Sequence, residues 1–350
     1  MRKRMFVLLI IGGLLSLRCN GENVDNNLSA GDTTFNLAKL LMEDDWVFVP
    51  PGDHYISETI IVQSFKKISG IIGKSKLIAS PGFIGPIMEL NGITNVEISG
   101  ISFEGNQDQF SKVSNICSTR DAIREFEGKT NGIGIYIRNG SNECWINTCE
   151  FKNFGDACLK IAGAGGRRYP IRITNVSISK SFCGIDNHGT EYSPTTSVSV
   201  TNSVFGMILD AGNQYFSACS FNDNRVGLYM GSTNGNNSHG SFAACNFNHS
   251  KIYAIFCDGI DFGETFVGCQ VFDGDIFLEN TNGFIFSGGI IDAQVFVKGG
   301  KTNIISNTGF ITSYKGGKIY SNFEGSPSRL LLKNNFFLQE MGENDSTLNN

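Results

Sequence analysis

Phe216-Ser-Ala-Cys219-Ser-Phe221, Phe242-Ala-Ala-Cys245-Asn-Phe247, Phe266-Val-Gly-Cys269-Gln-Val271 and Phe286-Ser-Gly-Gly289-Ile-Ile291 are one phrase written four times. Its inner spacing is fixed while the interval between copies varies. Anchored on its first apolar residue, the phrase extends in both directions through Ile68, Ile98, Ile146, Ile178, Val200, Phe216, Phe242, Phe266, Phe286, Ile305 and Leu332. The intervals run from 16 to 32 residues, apart from one of 48 that contains an insertion. A fixed core phrase on elastic connections marks a solenoid, in which each turn stacks on its neighbours and loops lengthen outward.

A second phrase follows each first one. It reads Ile135-Tyr-Ile, Leu159-Lys-Ile, Ile185-Asp-Asn, Ile208-Leu-Asp, Leu228-Tyr-Met, Ile255-Phe-Cys, Ile276-Phe-Leu, Val295-Phe-Val and Ile319-Tyr-Ser. These short runs of β-branched and aromatic residues, bounded by Gly, Asn and Asp, read as strands. Several short strands per turn, stacked in register, make an all-β fold, a parallel β-helix. In this the chain resembles the right-handed parallel β-helix proteins of the pectate lyase-like superfamily, which includes polysaccharide lyases, glycoside hydrolases and phage tailspikes. The resemblance spans roughly residues 33–337. It implies a single-stranded right-handed solenoid that acts on or binds an extended polysaccharide.

Composition agrees with a long narrow core. Charged residues make up 17% of the chain, below the roughly 25% usual for soluble domains, and Phe is over-used at 28. The net charge of −5 argues against a nucleic-acid partner, which calls for a basic stripe. Arg2, Lys3 and Arg4 precede an apolar run over 5–17, the layout of a signal peptide ending at residue 19 and too short to span a membrane. Cys19 and the polar stretch after it, 20–32, resemble a bacterial lipoprotein signal with a tether. The chain is expected at a cell surface or outer membrane through a lipid on Cys19, or secreted without one.

A solenoid domain is expected over 33–340, opened by a short capping helix in 33–44 (TTFNLAKLLMED) that covers the first turn. The insertion between Gly105 and Gly132 has a helix-like centre over 118–128, either a lid or a decorated surface helix. Residues 341–350 read as a polar, disordered tail. Cys219, Cys245 and Cys269 recur at one place in the phrase, which favours buried thiols over disulfides.

Alternation in the second phrase predicts an outward column of Tyr136, Lys160, Asp186, Leu209, Tyr229, Phe256, Phe277, Phe296 and Tyr320. At about 4.8 Å per turn it is roughly 40 Å long. Its aromatic half would be covered by loops, packed against other copies as in a trimeric tailspike, or stacked on sugar rings.

Three long loops, 161–175, 187–197 and 230–239, leave one corner on close turns. They bring Arg168, His188, Glu191, Tyr192 and His239 near Lys160, Asp186, Asp210, Arg138, Arg225, Tyr229 and Phe256. As a hydrolase, Asp186 and Asp210 would flank the bond on successive turns, with Glu191 a further carboxylate. As a lyase, Lys160, Arg168 or His188 would be the base, and Asp156, Asp186 and Asp210 would hold Ca²⁺. Arg138, Tyr192, Arg225, Tyr229, His239 and Phe256 would bind substrate. The sharper polygalacturonase and pectate lyase signatures are missing, which demotes those two activities. The alternative is a non-catalytic adhesion or tailspike-like protein that assembles, as a homotrimer, through its aromatic column.

Overall fold

The computed structural model describes residues 35–106, 132–166, 170–189, 191–231, 238–261, 263–311, 318–321, 323–325 and 327–338. The leader, Cys19, the tether, the insertion helix, Arg168 and the tail lie outside them. From Asn36 on, the described residues form one unit. It opens with the helix Leu37–Glu43, capped by the Asn36 side chain, which accepts from the Lys39 amide at 2.9 Å, and anchored by buried Leu37 and Leu41.

Beyond the helix the unit is a right-handed parallel β-helix. Every strand pairing is parallel, and two sheets of 22 and 11 strands run its length. Each typical turn gives two short strands to the larger sheet and one to the smaller. A single left-handed residue folds the larger sheet between its two strands: Gly100, Thr148, Asn175, Ser197, Ala218, Ala244, Gly268, Gly288, Asn307 and Asn334 all have φ between 51° and 68°. A second such residue turns the chain toward the smaller sheet, at Asn153, Lys180, Asn202, Asp223, His249 and Asp273, with φ of 52–65°. Asn and Asp tolerate this conformation better than other non-glycine residues, which explains their frequency at these corners.

Like residues therefore stack on like. Phe216, Phe242 and Phe266 lie ring on ring with centroids 4.4 and 4.8 Å apart, and Phe221 stacks on Phe247 at 5.3 Å. Cys219, Cys245 and Cys269 are buried free thiols beside them, and all eight cysteines among the described residues are free.

Two expectations about register are corrected. Ile146 pairs with Ile173, and Ile173 with Thr195, which pairs with Phe216, so these fill the first column. Ile178 and Val200 belong to the other strand of the larger sheet, in line with Phe151 and Phe221. In the smaller sheet Met207, not Ile208, pairs with Ile185 and Leu228. Ile208 therefore faces outward between Asp186 and Tyr229, and Leu209 is fully buried.

Among the buried polar residues Glu264 stands out. Glu264 is 1% exposed, neither carboxyl oxygen has a hydrogen-bond partner, and burial pushes the carboxyl well above the usual carboxylate range.

Removing one ring of the stack, Phe242→Ala, is expected to cost about 3–5 kcal/mol in urea unfolding; a loss under about 1 kcal/mol would contradict the stacked core. For Glu264 the sign follows from its raised folded pKa. The group is neutral in both states at acid pH, and above about 4.3 the unfolded chain ionises while the folded chain keeps its proton, so stability is lost as pH rises. Glu264→Gln is therefore expected to raise the melting temperature more at pH 7 than at pH 4. An equal effect at both would contradict the assignment.

Candidate active site

The smaller sheet builds the site from two outward columns. In the first, Lys160 pairs with Asp186 and with Tyr136 on the other side. In the second, Arg138 pairs with Ala162, Ala162 with His188, and His188 with Asp210. Asp156, just before the strand Ala157–Ala162 that carries Lys160, reaches the Lys160 ammonium and completes the group.

Five side chains form a chain of alternating charge. Lys160 Nζ is 3.1 Å from Asp156 Oδ2 and 3.3 Å from Asp186 Oδ2. His188 Nε2 is 2.5 Å from Asp186 Oδ1, and its Nδ1 is 3.8 Å from Asp210 Oδ2. The carboxylates are buried, with side chains 2%, 7% and 3% exposed for Asp156, Asp186 and Asp210. The cations stand at the surface, Lys160 at 23% and His188 at 32%.

These neighbours separate the two carboxyls that share Lys160. Burial raises Asp156 to about 6 against the opposing pull of Lys160, with Asp186 adding to the rise. Burial acts the same way on Asp186, but the His188 and Lys160 contacts outweigh it and hold that carboxyl below its ordinary value. Burial disfavours the charge on both cations. The Asp186 and Asp156 carboxylates nonetheless hold the Lys160 ammonium above its ordinary value, and Asp186 and Asp210 raise His188 to about 10.

The other expected residues divide. Asp210 joins the cluster through His188 rather than standing opposite Asp186. His239 leans over the corner beyond Asp210, where a Cβ on Gly212 would come within 2.3 Å of its ring; only glycine leaves that space. Arg138, next to the cluster in its column, is engaged by Glu89 at 2.5 Å and lies 5.2 Å over the Tyr136 ring. Glu191 is exposed and accepts from Asn213 Nδ2 at 3.4 Å, so its carboxylate is outside the cluster. Tyr192 lies in the approach to the larger sheet, before Pro194–Thr196. Arg225 is just before the start of Val226–Gly231 and lines a separate hollow with Lys180 and Lys251.

Tyr229 and Phe256 are not sugar platforms. They are 6% and 3% exposed, packed with Phe205, Val226 and Tyr253. The cause is local: the residue three before each outward position also lies on this face, so Phe205 meets Tyr229 at 6.2 Å and Tyr253 meets Phe256 at 5.2 Å. Tyr229 keeps a polar role, donating its hydroxyl to Asp258 Oδ2 at 3.2 Å.

The calcium reading does not fit this arrangement. Lys160 and His188 stand between the three aspartates, and among the described residues no group of three metal-ligating side chains converges. The lyase reading meets a similar obstacle, since Lys160 and His188 are held protonated where a base must be free of its proton.

His188, charged below about 10 in the fold and below about 6.5 unfolded, adds stability that is complete below pH 6.5 and lost as pH rises through 10. Its ring signals in NMR are expected to titrate far above pH 7, and Asp186→Asn to bring the midpoint down by more than one unit. A midpoint near 6.5 in the unaltered protein would contradict the bridged geometry.

No family model and no curated protein matches the chain. Solved structures do. An endo-xylogalacturonan hydrolase from Aspergillus tubingensis is similar at 10% identity and TM-score 0.53, over 88% of this chain and 91% of that one. The catalytic unit of a thermostable GH87 α-1,3-glucanase from Streptomyces thermodiastaticus is similar at 9% identity and TM-score 0.53, over 88% and 66%. Full-length tailspike protein 2 from an Escherichia coli O157:H7 bacteriophage gives 12% and 0.53, over 89% of this chain and 40% of that one. The chain thus has the pectate lyase-like β-helix fold.

Proposed function

We propose that the chain hydrolyses a glycosidic bond of an extended polysaccharide laid over the smaller sheet at Lys160, Asp186 and His188. The carrying observation is that two buried carboxyls, Asp156 and Asp186, meet one ammonium at 3.1 and 3.3 Å in unlike surroundings, which push Asp156 up to about 6 and hold Asp186 below its ordinary value. Paired carboxyls driven apart in this way divide the work of acid and base. Asp156 is the proton donor to the leaving oxygen, and Asp186 the carboxylate that attacks the anomeric carbon.

Their contacts to the same nitrogen, 3.1 and 3.3 Å, bound the separation of the two contacting oxygens below the roughly 6.5–9.5 Å of an inverting pair. The pair therefore stands on the short, retaining side of that range, and the reaction runs through a glycosyl ester on Asp186. Asp156, having given its proton to the leaving sugar, takes one from the water that cleaves that ester. Lys160 covers both carboxyls and swings out as sugar hydroxyls replace it. His188 and Asp210 keep Asp186 ionised.

The polysaccharide-acting proteins that share the fold support the substrate class, and the two surface cations support hydrogen bonds to sugar oxygens. The basic and apolar leader supports action outside the cell, with Cys19 as the lipid anchor. No helix among the described residues is long and apolar enough to cross a membrane. The assembly alternative loses Tyr229 and Phe256, which are buried, and keeps Phe277, Phe296 and Tyr320 at the surface.

On a panel of neutral and uronate polysaccharides, the protein is expected to release reducing ends without unsaturated products. Asp156→Asn and Asp186→Asn are each expected to reduce release by at least about a hundredfold with melting temperatures still cooperative. The rate should fall as pH rises past about 6, where Asp156 gives up its proton. Unsaturated products, or full activity in Asp186→Asn, would overturn the assignment.

A further inference from the structure

Both tryptophans of the chain, Trp46 and Trp145, sit in one outward column of the larger sheet, on a different sheet from the charged cluster. The column runs Trp46, Lys67, Glu97, Trp145, Arg172, then Pro194 and Tyr215, each residue beside the next on the following turn. Trp46, Trp145 and Tyr215 are 69%, 39% and 49% exposed. They recur every third rung, about 14 Å apart.

The two indoles are held in the same way. Trp46 Nε1 donates to Ser69 Oγ at 3.1 Å, and Trp145 Nε1 donates to Thr174 Oγ1 at 2.8 Å. In each case the hydroxyl is on the next turn, two residues along the strand. The Thr174 hydroxyl is itself fixed by donating to Asn147 Oδ1 at 2.9 Å. With its one polar atom satisfied and directed along the sheet, each ring is pre-set and leaves apolar surface to solvent. That is a rigid platform, with little rotamer freedom to lose on binding.

Polar ground joins the platforms. A hollow of about 230 Å³ beside Trp145 is lined by Glu97, Glu143 and Arg172, and one of about 200 Å³ reaches Phe65 and Lys67; they share Asn95 and Glu97. Lys67 and Glu97 are paired at 3.1 Å, and Arg172 offsets Glu143, so the track has little net charge. Apolar rings at long regular intervals, separated by hydrogen-bonding and charge-balanced ground, match a chain of neutral sugar rings. A single sugar would not reach two platforms, and a polyanion would find no net positive charge along the track.

We propose that this column is a second carbohydrate-binding face, which holds an extended neutral polysaccharide by stacking on Trp46 and Trp145. It stands apart from the hydrolytic site and does not depend on it. Holding a chain on one sheet while the other sheet works on a bond would keep the protein on an insoluble or branched substrate between cleavages.

The test is native-gel affinity electrophoresis of the purified protein through xyloglucan, mixed-linkage β-glucan, dextran and polygalacturonate, with sedimentation velocity alongside. At least one neutral polymer is expected to retard the protein. Trp46→Ala and Trp145→Ala are each expected to weaken retardation about tenfold, and Trp145→Phe less than threefold. Because both rings are exposed, the variants should melt as the parent does. The tryptophan effects on retardation should persist in an Asp186→Asn background, so loss of cleavage and loss of this face are read separately. The proposal is overturned if no neutral polymer retards the protein, if only polygalacturonate does, or if the tryptophan variants bind as well as the parent. It is equally overturned if the parent sediments as a dimer that Trp46→Ala dissociates, for then the face belongs to a second copy.

Discussion

Everything in this molecule depends on the in-register stacking of successive turns at the spacing of hydrogen-bonded strands. That spacing is also close to the thickness of a stacked aromatic pair, so Phe216, Phe242 and Phe266 satisfy backbone and core at once. The constraint is severe at the corners, where a single left-handed residue must recur in every turn. Thr148, Ala218 and Ala244 adopt that conformation without the advantage of glycine, because the ladders on both sides leave them no alternative.

The same register that aligns the core aligns the surface, and the chemistry follows from it. A polar residue at one outward position is set beside its counterpart on the next turn, whatever lies between them in sequence. Lys160 meets Asp186, and His188 meets Asp210, across loops of different length. In isolation each buried carboxylate would carry a large desolvation cost; placed alternately with cations, the row is tolerated and its members titrate apart. The exposed face of the larger sheet obeys the same rule, with Trp46 and Trp145 in one line because both occupy the same rung position.

The repeat, its strands and the stacked cysteines were legible because they depend on residue type at fixed spacing. Register within the second phrase was harder. Met207, Ile208 and Leu209 are all aliphatic, so alternation alone cannot choose which faces in. The deciding signal was the small residue before each inward one: Gly134, Cys158, Gly184, Gly206, Gly227 and Ala254. A Cβ on Gly184 would come within 2.5 Å of the Gly206 carbonyl, and one on Gly206 within 2.4 Å of that of Gly227. Aligned on these, Ile208 falls outward with Lys160 and Asp186. Burial of Tyr229 and Phe256 was not legible, since it depends on Phe205 and Tyr253 sharing a face that simple alternation does not give them. Asp156 was not legible as a partner of Lys160, because it stands just before the strand Ala157–Ala162, where alternation no longer assigns a face. The protonated state of Lys160 and His188 needs the distances themselves.

The central claim is that Asp156 and Asp186, brought to one ammonium at the short spacing of a retaining pair, cleave a glycosidic bond in two displacements. The most direct measurement is the anomeric configuration of the first reducing end released, followed by proton NMR before mutarotation. The account predicts that the product keeps the configuration of the bond cleaved. An inverted product would contradict it, because that outcome requires carboxyls spaced more widely than two that share a contact to Lys160 Nζ.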